Sequence, residues 1–202
     1  MLTLHYAPKT ISIAVAITLE EVGLAYDAVA VDFASGAQAK EPYLSVNPKG
    51  RVPALVTAAG TLTETGAILE FIAETSGQLI PDTPMATARM REVMFYLAST
   101  MHVNHAHKMR GHRWADQQSS FEDMTAKVPD TMAASCAYLE EMLTLDPFVT
   151  KDFSLADPYL FMVLSWVPGD GVDLAAYPKL SAFVDMMKTR PSVQAVIAKG
   201  ML

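Results

Sequence analysis

Several short stretches of this 202-residue chain carry residue types and spacings that could do chemistry. Val52-Pro53 stands between a glycine turn and a strand that begins with Ala54-Leu55. An X-Pro bond is the only kind that readily goes cis, and a cis bond here leaves the Val52 backbone N–H and C=O unpaired at a sheet edge. A residue placed so can pair with an extended peptide as an added strand would. The other reading is an ordinary trans proline opening an edge strand. Next, Glu64-Thr65-Gly66-Ala67-Ile68 opens a helix. The start of a helix presents unpaired N–H groups and partial positive charge, so it suits a carboxylate. Thr65 could bond such a group through both amide and hydroxyl, and Glu64 could hold an ammonium; alternatively, Thr63 or Thr65 simply caps a core helix. Third, His102, His105, His107 and His112 crowd one stretch together with Lys108, Arg110 and Arg113. Their spacing can place some of the histidines on one helical face, but no carboxylate motif and no HExxH accompany them, so no metal is expected. The basic group is either a steering patch for anions or a solvated turn.

The elements that must position these residues fall into two grammars. Over residues 1–80 short strand-like and helix-like segments alternate. Leu2, Leu4 and Tyr6 recur at period two, with His5 on the opposite face. Pro8 ends that strand, and Thr10 or Ser12 can cap a helix that stops at Gly23. Residues 26–31 read as a second strand, 37–45 as a short helix, and Asn47-Pro48-Lys49-Gly50 as a turn. Residues 52–57 and 61–62 flank Ala59-Gly60 as a hairpin, and a helix follows from Glu64. The predicted order is β-α-β-α-β-β-α. After Ile80 no convincing strand follows. Long helical segments are expected at roughly 86–109, 118–144, 154–167, 178–188 and 192–199, with Met90, Met94, Leu97 and Met101 on one buried face. The predicted fold is therefore an α/β domain at 1–80 and an all-helical domain at 81–202.

Composition bounds the rest. Hydrophobic residues make up 51% and charged residues 18%, with a mean hydropathy of +0.21, which excludes intrinsic disorder. No apolar run approaches the roughly 18 residues of a membrane span, and the first ten residues lack a signal-peptide pattern, so no membrane and a cytoplasmic setting are expected. Fifteen Lys and Arg against 22 Asp and Glu leave a net charge of −7, which disfavours nucleic acid as a partner. Cys136 is the only cysteine, so no intramolecular disulfide can form; it sits among apolar helical residues and reads as a small buried hydrophobe.

Taken together, NPKGRVPAL at 47–55, LTETGAIL at 62–69 and the α/β-then-helical plan resemble the cytosolic glutathione transferase superfamily. Phe153-Ser154-Leu155-Ala156-Asp157 resembles the family's internal capping box, with Ser154 and Asp157 at Ncap and N3 of a buried helix. The segments YAPKTISIAVAITLEEVGL and YPKLSAFVDMMKTRPSVQAVI look most like bacterial members near the beta class. The resemblance covers nearly the whole chain and implies a thioredoxin-like first domain that binds reduced glutathione as cosubstrate, with no other cofactor.

By that resemblance Val52 pairs with the cysteinyl part of the tripeptide and Pro53 is the cis proline. Glu64 and Thr65 grip the γ-glutamyl end, and Arg51 and Lys49 meet the glycyl carboxylate. The cysteine of the beta class falls at Ile11 and is absent here. The hydroxyl that stabilises the thiolate is then Ser12, Thr10 or Tyr6, in that order. His102 matches a histidine of the electrophile pocket, and Phe95 stands where relatives carry a cross-dimer asparagine. The implied activity is conjugation of glutathione to a small hydrophobic electrophile by a homodimer, a detoxifying reaction. Two alternatives stay open: a non-catalytic binding module of the same fold, and a glutathione-dependent peroxidase, dehalogenase or isomerase.

Overall fold

The computed structural model describes residues 1–202, which divide into two compact units. The first begins as the sequence predicts. Strand β1 (Leu2–Tyr6) is followed by helix α1 (Ser12–Val22), β2 (Tyr26–Ala30), a 3-10 turn at Ala37–Ala39, the short α2 (Tyr43–Val46), the hairpin β3 (Ala54–Thr57) and β4 (Gly60–Thr63), and α3 (Thr65–Ser76). Strand order in the sheet is β2-β1-β3-β4. β1 and β2 run parallel, with Leu2 opposite Tyr26 and Tyr6 opposite Ala30. β3 lies antiparallel to β1, with His5 opposite Ala54, and β4 antiparallel to β3, with Ala54 opposite Thr63.

This register decides where the chemistry collects. The C-terminal end of β1, the N-terminal end of β3 and the C-terminal end of β4 all lie at one end of the sheet. The loop 7–11, the Val52-Pro53 step and the start of α3 follow from those ends.

α1 is buried along Ser12–Leu19, which explains its uniform apolar run: a helix hydrophobic all round is a buried one. It packs on β1, on α3 and on α9 (Pro191–Ala198). Gly23 ends it at φ 70°, in the left-handed region.

The first unit's opening stretch ends at Ile80 and the second unit begins at Pro81. Residues Lys188–Leu202 group with the first unit. Pro191 starts α9 after an extended Arg190, and Val193 and Val196 are buried. Glu21 of α1 accepts from the Arg190 guanidinium and, at 2.6 Å, from the Ser192 hydroxyl. Lys9 N–H donates to the Met201 carbonyl at 3.0 Å.

The second unit, Pro81–Met187, is helical. Thr83 caps α4 (Pro84–Tyr96) by accepting from Ala86 N–H at 3.2 Å. The single helix expected over 86–109 is divided: a π-helical turn at Leu97–Met101 separates α4 from α5 (His102–Arg110). There the Ser99 hydroxyl donates to the Phe95 carbonyl at 2.8 Å, while Leu97 and Met101 stay fully buried.

α6 (Gln118–Met142) runs through Pro129 without ending, although an internal proline removes one helical hydrogen bond. Pro129 lies against Gly171, where an added Cβ would stand 3.4 Å from its ring. α7 (Ala156–Leu164) is buried at every residue. The capping residues meet as expected: Asp157 Oδ2 accepts from Ser154 N–H at 2.8 Å and from Ser154 Oγ at 3.0 Å, and its Oδ1 accepts from Val149 N–H at 2.9 Å. The helix itself begins at Ala156, one residue later than an Ncap at Ser154 would give. α8 (Pro178–Thr189) follows, its first N–H groups held by Glu140, which accepts from Lys179 and Leu180 at 2.9 and 3.0 Å.

Candidate functional site

In the first unit the Val52-Pro53 bond is cis, as the family resemblance implied and not the ordinary trans proline that the local sequence also allowed. Val52 lies just before β3 and is half-buried, and no hydrogen bond of the chain uses its N–H or C=O. An unpaired donor and acceptor on one residue form a short docking edge for another backbone.

The residues before it fix that edge in place. Tyr43 Oη and Asn47 Nδ2 both donate to the Arg51 carbonyl, each at 2.6 Å. Asn47 is buried, and its Oδ1 also accepts from Lys49 N–H at 3.1 Å. Gly50 closes the turn at φ +61°, and a Cβ there would stand 2.8 Å from the Gln38 carbonyl oxygen. Only glycine fits both the dihedral and the space. Sequence reasoning treated Asn47 as part of a turn and missed Tyr43 altogether. A tyrosine ten residues upstream of Pro53 carries no signal without the tertiary contact.

Glu64 adopts φ 72° and ψ 119° immediately before α3, a conformation rare for a residue with a side chain. This turns its carboxylate outward, where it pairs with Lys49 Nζ; both side chains are exposed. Thr65 follows as the first helical residue and is buried, yet its hydroxyl has no hydrogen-bond partner in the chain. The opening N–H groups of α3 have no intrahelical acceptor. Together they offer an anion a hydroxyl, backbone donors and the positive end of a helix. The Arg51 side chain is exposed with no partner.

The three candidate hydroxyls have different surroundings. Ser12, first in the expected order, is completely buried. Its Oγ accepts from Ala7 N–H at 3.1 Å and lies 3.2 Å from the Ala7 carbonyl and 2.6 Å from Thr10 Oγ1. Thr10 is half-buried, and its Oγ1 donates to the Ala7 carbonyl at 2.8 Å and accepts from Ser12 N–H at 3.3 Å. Tyr6 is half-buried at the end of β1, and its hydroxyl is bonded to neither. Ile11, between the two hydroxyl residues, is buried among the core residues.

In the second unit His102 is half-buried and meets the Trp166 ring edge-on at 5.0 Å. His105 stacks on the same tryptophan at 4.4 Å, and its Nδ1 lies 2.7 Å from Asp170 Oδ2. Asp170 is buried; Lys108 Nζ stands 3.6 Å from its other oxygen and donates to the Gly169 carbonyl. His107 meets Trp114 edge-on at 4.5 Å. His102 and His105 thus share Trp166, His107 turns to Trp114, and Lys108 is committed to the 168–170 turn. Burial, followed by the charges of Asp170 and Glu140, pushes the Cys136 thiol up to about 12, so it stays protonated at neutral pH. Phe95, on α4, is 69% exposed.

Comparison with known proteins gives consistent matches at every level. Residues 2–74 match the glutathione S-transferase N-terminal domain and residues 105–200 the glutathione S-transferase C-terminal domain. The chain is 31% identical over 205 residues to glutathione S-transferase GstA of Escherichia coli O157:H7, covering 98% of each protein. Among solved structures, a glutathione transferase homologue from Sulfitobacter with bound glutathione is 58% identical, with a TM-score of 0.96 over 100% of this chain and 99% of that one. A beta-class glutathione S-transferase of Sphingomonas chungbukensis is 32% identical, with a TM-score of 0.84 over 99% and 100%. No helix is long and apolar enough to cross a membrane.

Proposed function

This chain belongs to the glutathione S-transferase superfamily, and from that premise we propose that it binds reduced glutathione on its first unit and conjugates it to a small hydrophobic electrophile. The observation that carries the reading is the open backbone pair of Val52 at the same end of the sheet as the free Thr65 hydroxyl and the start of α3. A γ-linked tripeptide needs both: an antiparallel backbone partner for its middle residue, and an anion site with a neighbouring carboxylate for its amino-acid head. Val52 supplies the first. Thr65 and the α3 amides hold the γ-glutamyl carboxylate, and Glu64 exchanges Lys49 for the ligand's ammonium. Lys49, once released, and Arg51 face the glycyl carboxylate.

Thiolate is the nucleophile, so the enzyme must hold the glutathione sulfur ionised. Thr10 provides the hydroxyl that does so, because it is the accessible member of the loop pair, whereas Ser12 is sealed behind it. The sulfur anion accepts from Thr10 Oγ1 near the start of α1, where helix N–H groups add to its stabilisation. The thiol proton leaves to solvent, the sulfur attacks the electrophile, and the leaving group or negative charge passes to water. Positioning and thiolate stabilisation carry the rate, with no covalent protein intermediate. Ile11 offers no sulfur for a mixed disulfide.

In the second unit His102 and Trp166 line the electrophile pocket in this reading. Exposed Phe95 and Met85 on α4 form the homodimer contact, which light scattering would read as twice the chain mass.

The deciding test is calorimetric titration of reduced glutathione, followed by turnover with an activated aryl halide. Saturable binding that Thr65→Ala weakens by roughly tenfold supports the site. Wild-type affinity in that variant overturns it. Binding without turnover of any aryl halide, enal or peroxide would leave a carrier rather than a transferase.

A further inference from the structure

We propose that Ser12 is a positioning residue that polarises Thr10: the buried Ser12 hydroxyl donates to Thr10 Oγ1, so that Thr10 gives its own proton to the bound sulfur. The inference rests on the glutathione reading above and deepens it. Its support is a count of protons. Three oxygens, Ala7 O, Thr10 Oγ1 and Ser12 Oγ, lie within 2.6 to 3.2 Å of one another, and only two hydroxyl protons are available to the three contacts. Ala7 N–H already donates into Ser12 Oγ, which orients that oxygen and leaves its proton for either Ala7 O or Thr10.

The shortest contact, 2.6 Å, is the one between the hydroxyls. Thr10 Oγ1 also accepts from Ser12 N–H. A hydroxyl oxygen that accepts two hydrogen bonds is a stronger donor, because chained hydrogen bonds polarise one another.

The pair therefore has two arrangements. Without ligand, Thr10 donates to the Ala7 carbonyl. With the sulfur anion bound, Thr10 rotates its proton outward while Ser12 continues to donate to Thr10 Oγ1, and the Ala7 carbonyl keeps the Thr10 N–H at 3.4 Å, so no buried acceptor is stranded. No bond is made or broken within the protein. The only proton that leaves is the thiol's, to solvent. A lone threonine in the same loop would serve the sulfur without a second hydroxyl donating into its own oxygen. This arrangement also explains why the fully buried serine sits behind the half-exposed threonine.

The test separates sulfur ionisation from ligand binding. Reduced glutathione is titrated across pH with the thiolate absorbance as readout, and S-methylglutathione, which has no ionisable sulfur, reports binding alone. Thr10→Val should remove on the order of thirtyfold of the thiolate at neutral pH, and Ser12→Ala about threefold. Both variants should bind S-methylglutathione as wild type does, and Ser12→Thr should restore the wild-type titration. Should the alanine chain fail to fold, Ser12→Gly leaves room for a water on Ala7 N–H and gives the same readout. A wild-type thiolate titration in the Ser12 variants makes Ser12 a loop staple and overturns the proposal. If the wild-type protein does not bind S-methylglutathione, the glutathione reading itself fails, and the relay with it.

Discussion

Lys49 donates to Glu64, so two of the charged groups assigned to the two ends of a bound tripeptide satisfy each other when the site is empty. In the proposed site, binding would therefore exchange partners rather than capture free charges. The pair is solvent-exposed, and such pairs contribute little, about 0 to 1 kcal/mol. Removing Lys49 and removing Glu64 should therefore differ. Glu64→Gln loses a charge-assisted contact to the ligand's ammonium and should weaken glutathione on the order of tenfold. Lys49→Ala should shift affinity by less than about threefold, because its loss also frees Glu64. Calorimetry at two salt concentrations reads both, and equal losses would count against the exchange.

The Arg51 carbonyl is gripped by Tyr43 and Asn47, one residue before the backbone proposed to pair with the ligand. Asn47→Ala leaves the Arg51 carbonyl with Tyr43 alone and removes the acceptor of the Lys49 amide, and should cost about 1 to 3 kcal/mol of stability, and Tyr43→Phe about 1 kcal/mol. Both should also weaken glutathione binding. A denaturant melt paired with calorimetry checks this, and an unchanged affinity in the double variant would show that Val52 is held by other means.

Gly50 makes a sharper prediction. Alanine there meets the Gln38 carbonyl at 2.8 Å on a backbone at φ +61°. Gly50→Ala should lower the unfolding free energy by about 1 to 3 kcal/mol and reduce glutathione affinity with it. Gly77 shares the left-handed φ but has open space around it. Gly77→Ala should therefore cost less and leave affinity alone.

Asp157 ties the Val149 amide and both Ser154 donors to the start of a wholly buried helix. Asp157→Ala should be among the most destabilising single changes in the second unit, about 2 to 4 kcal/mol, because it strands donors already removed from water. Glutathione affinity, measured on folded protein in the cold, should not change. A loss of affinity equal to the loss of stability would contradict this.

The Cys136 thiol, pushed up to about 12 by burial and then by Asp170 and Glu140, gives a pH dependence of definite sign. An unfolded thiol ionises near 8.5, roughly three and a half pH units below the folded one. Above that the unfolded state binds fewer protons than the folded state, so this contribution is fully present below about pH 8.5 and is lost as pH rises toward 12. Denaturant midpoints should fall between pH 9 and 11 more steeply in wild type than in Cys136→Ala. Native protein should resist alkylation at pH 8, and rapid labelling would show the thiol to be accessible.

Much of the first unit could be read from residue order, because its signals are local. Period two in Leu2, Leu4 and Tyr6, the stop at Gly23 and the turn at 47–50 need no tertiary knowledge. The cis Pro53 and the paired roles of Ser154 and Asp157 were legible because short motifs carry them. What could not be read depends on neighbours far along the chain. Ser12 and Thr10 are equivalent on a helix start until burial seals one and leaves the other open. A proline within a helical pattern ordinarily ends it, yet α6 runs through Pro129, which lies against Gly171. The π-turn at 97–101 keeps the apolar spacing of a continuous helix, so periodicity passes over it.

The return of residues 188–202 to the first unit gives that unit a keystone drawn from the far end of the polypeptide. Met201 takes the Lys9 amide, and Lys9 is the residue before Thr10. The loop that carries the hydroxyl proposed to bind sulfur is therefore fastened by residues 188–202. A fragment cut after Ile80 would hold every first-unit residue proposed to contact glutathione and still lack the clasp that fastens the loop. An affinity tag fused after Leu202 pulls on the same clasp, so a tag at the opposite terminus is the one to compare when thiol ionisation is the quantity measured.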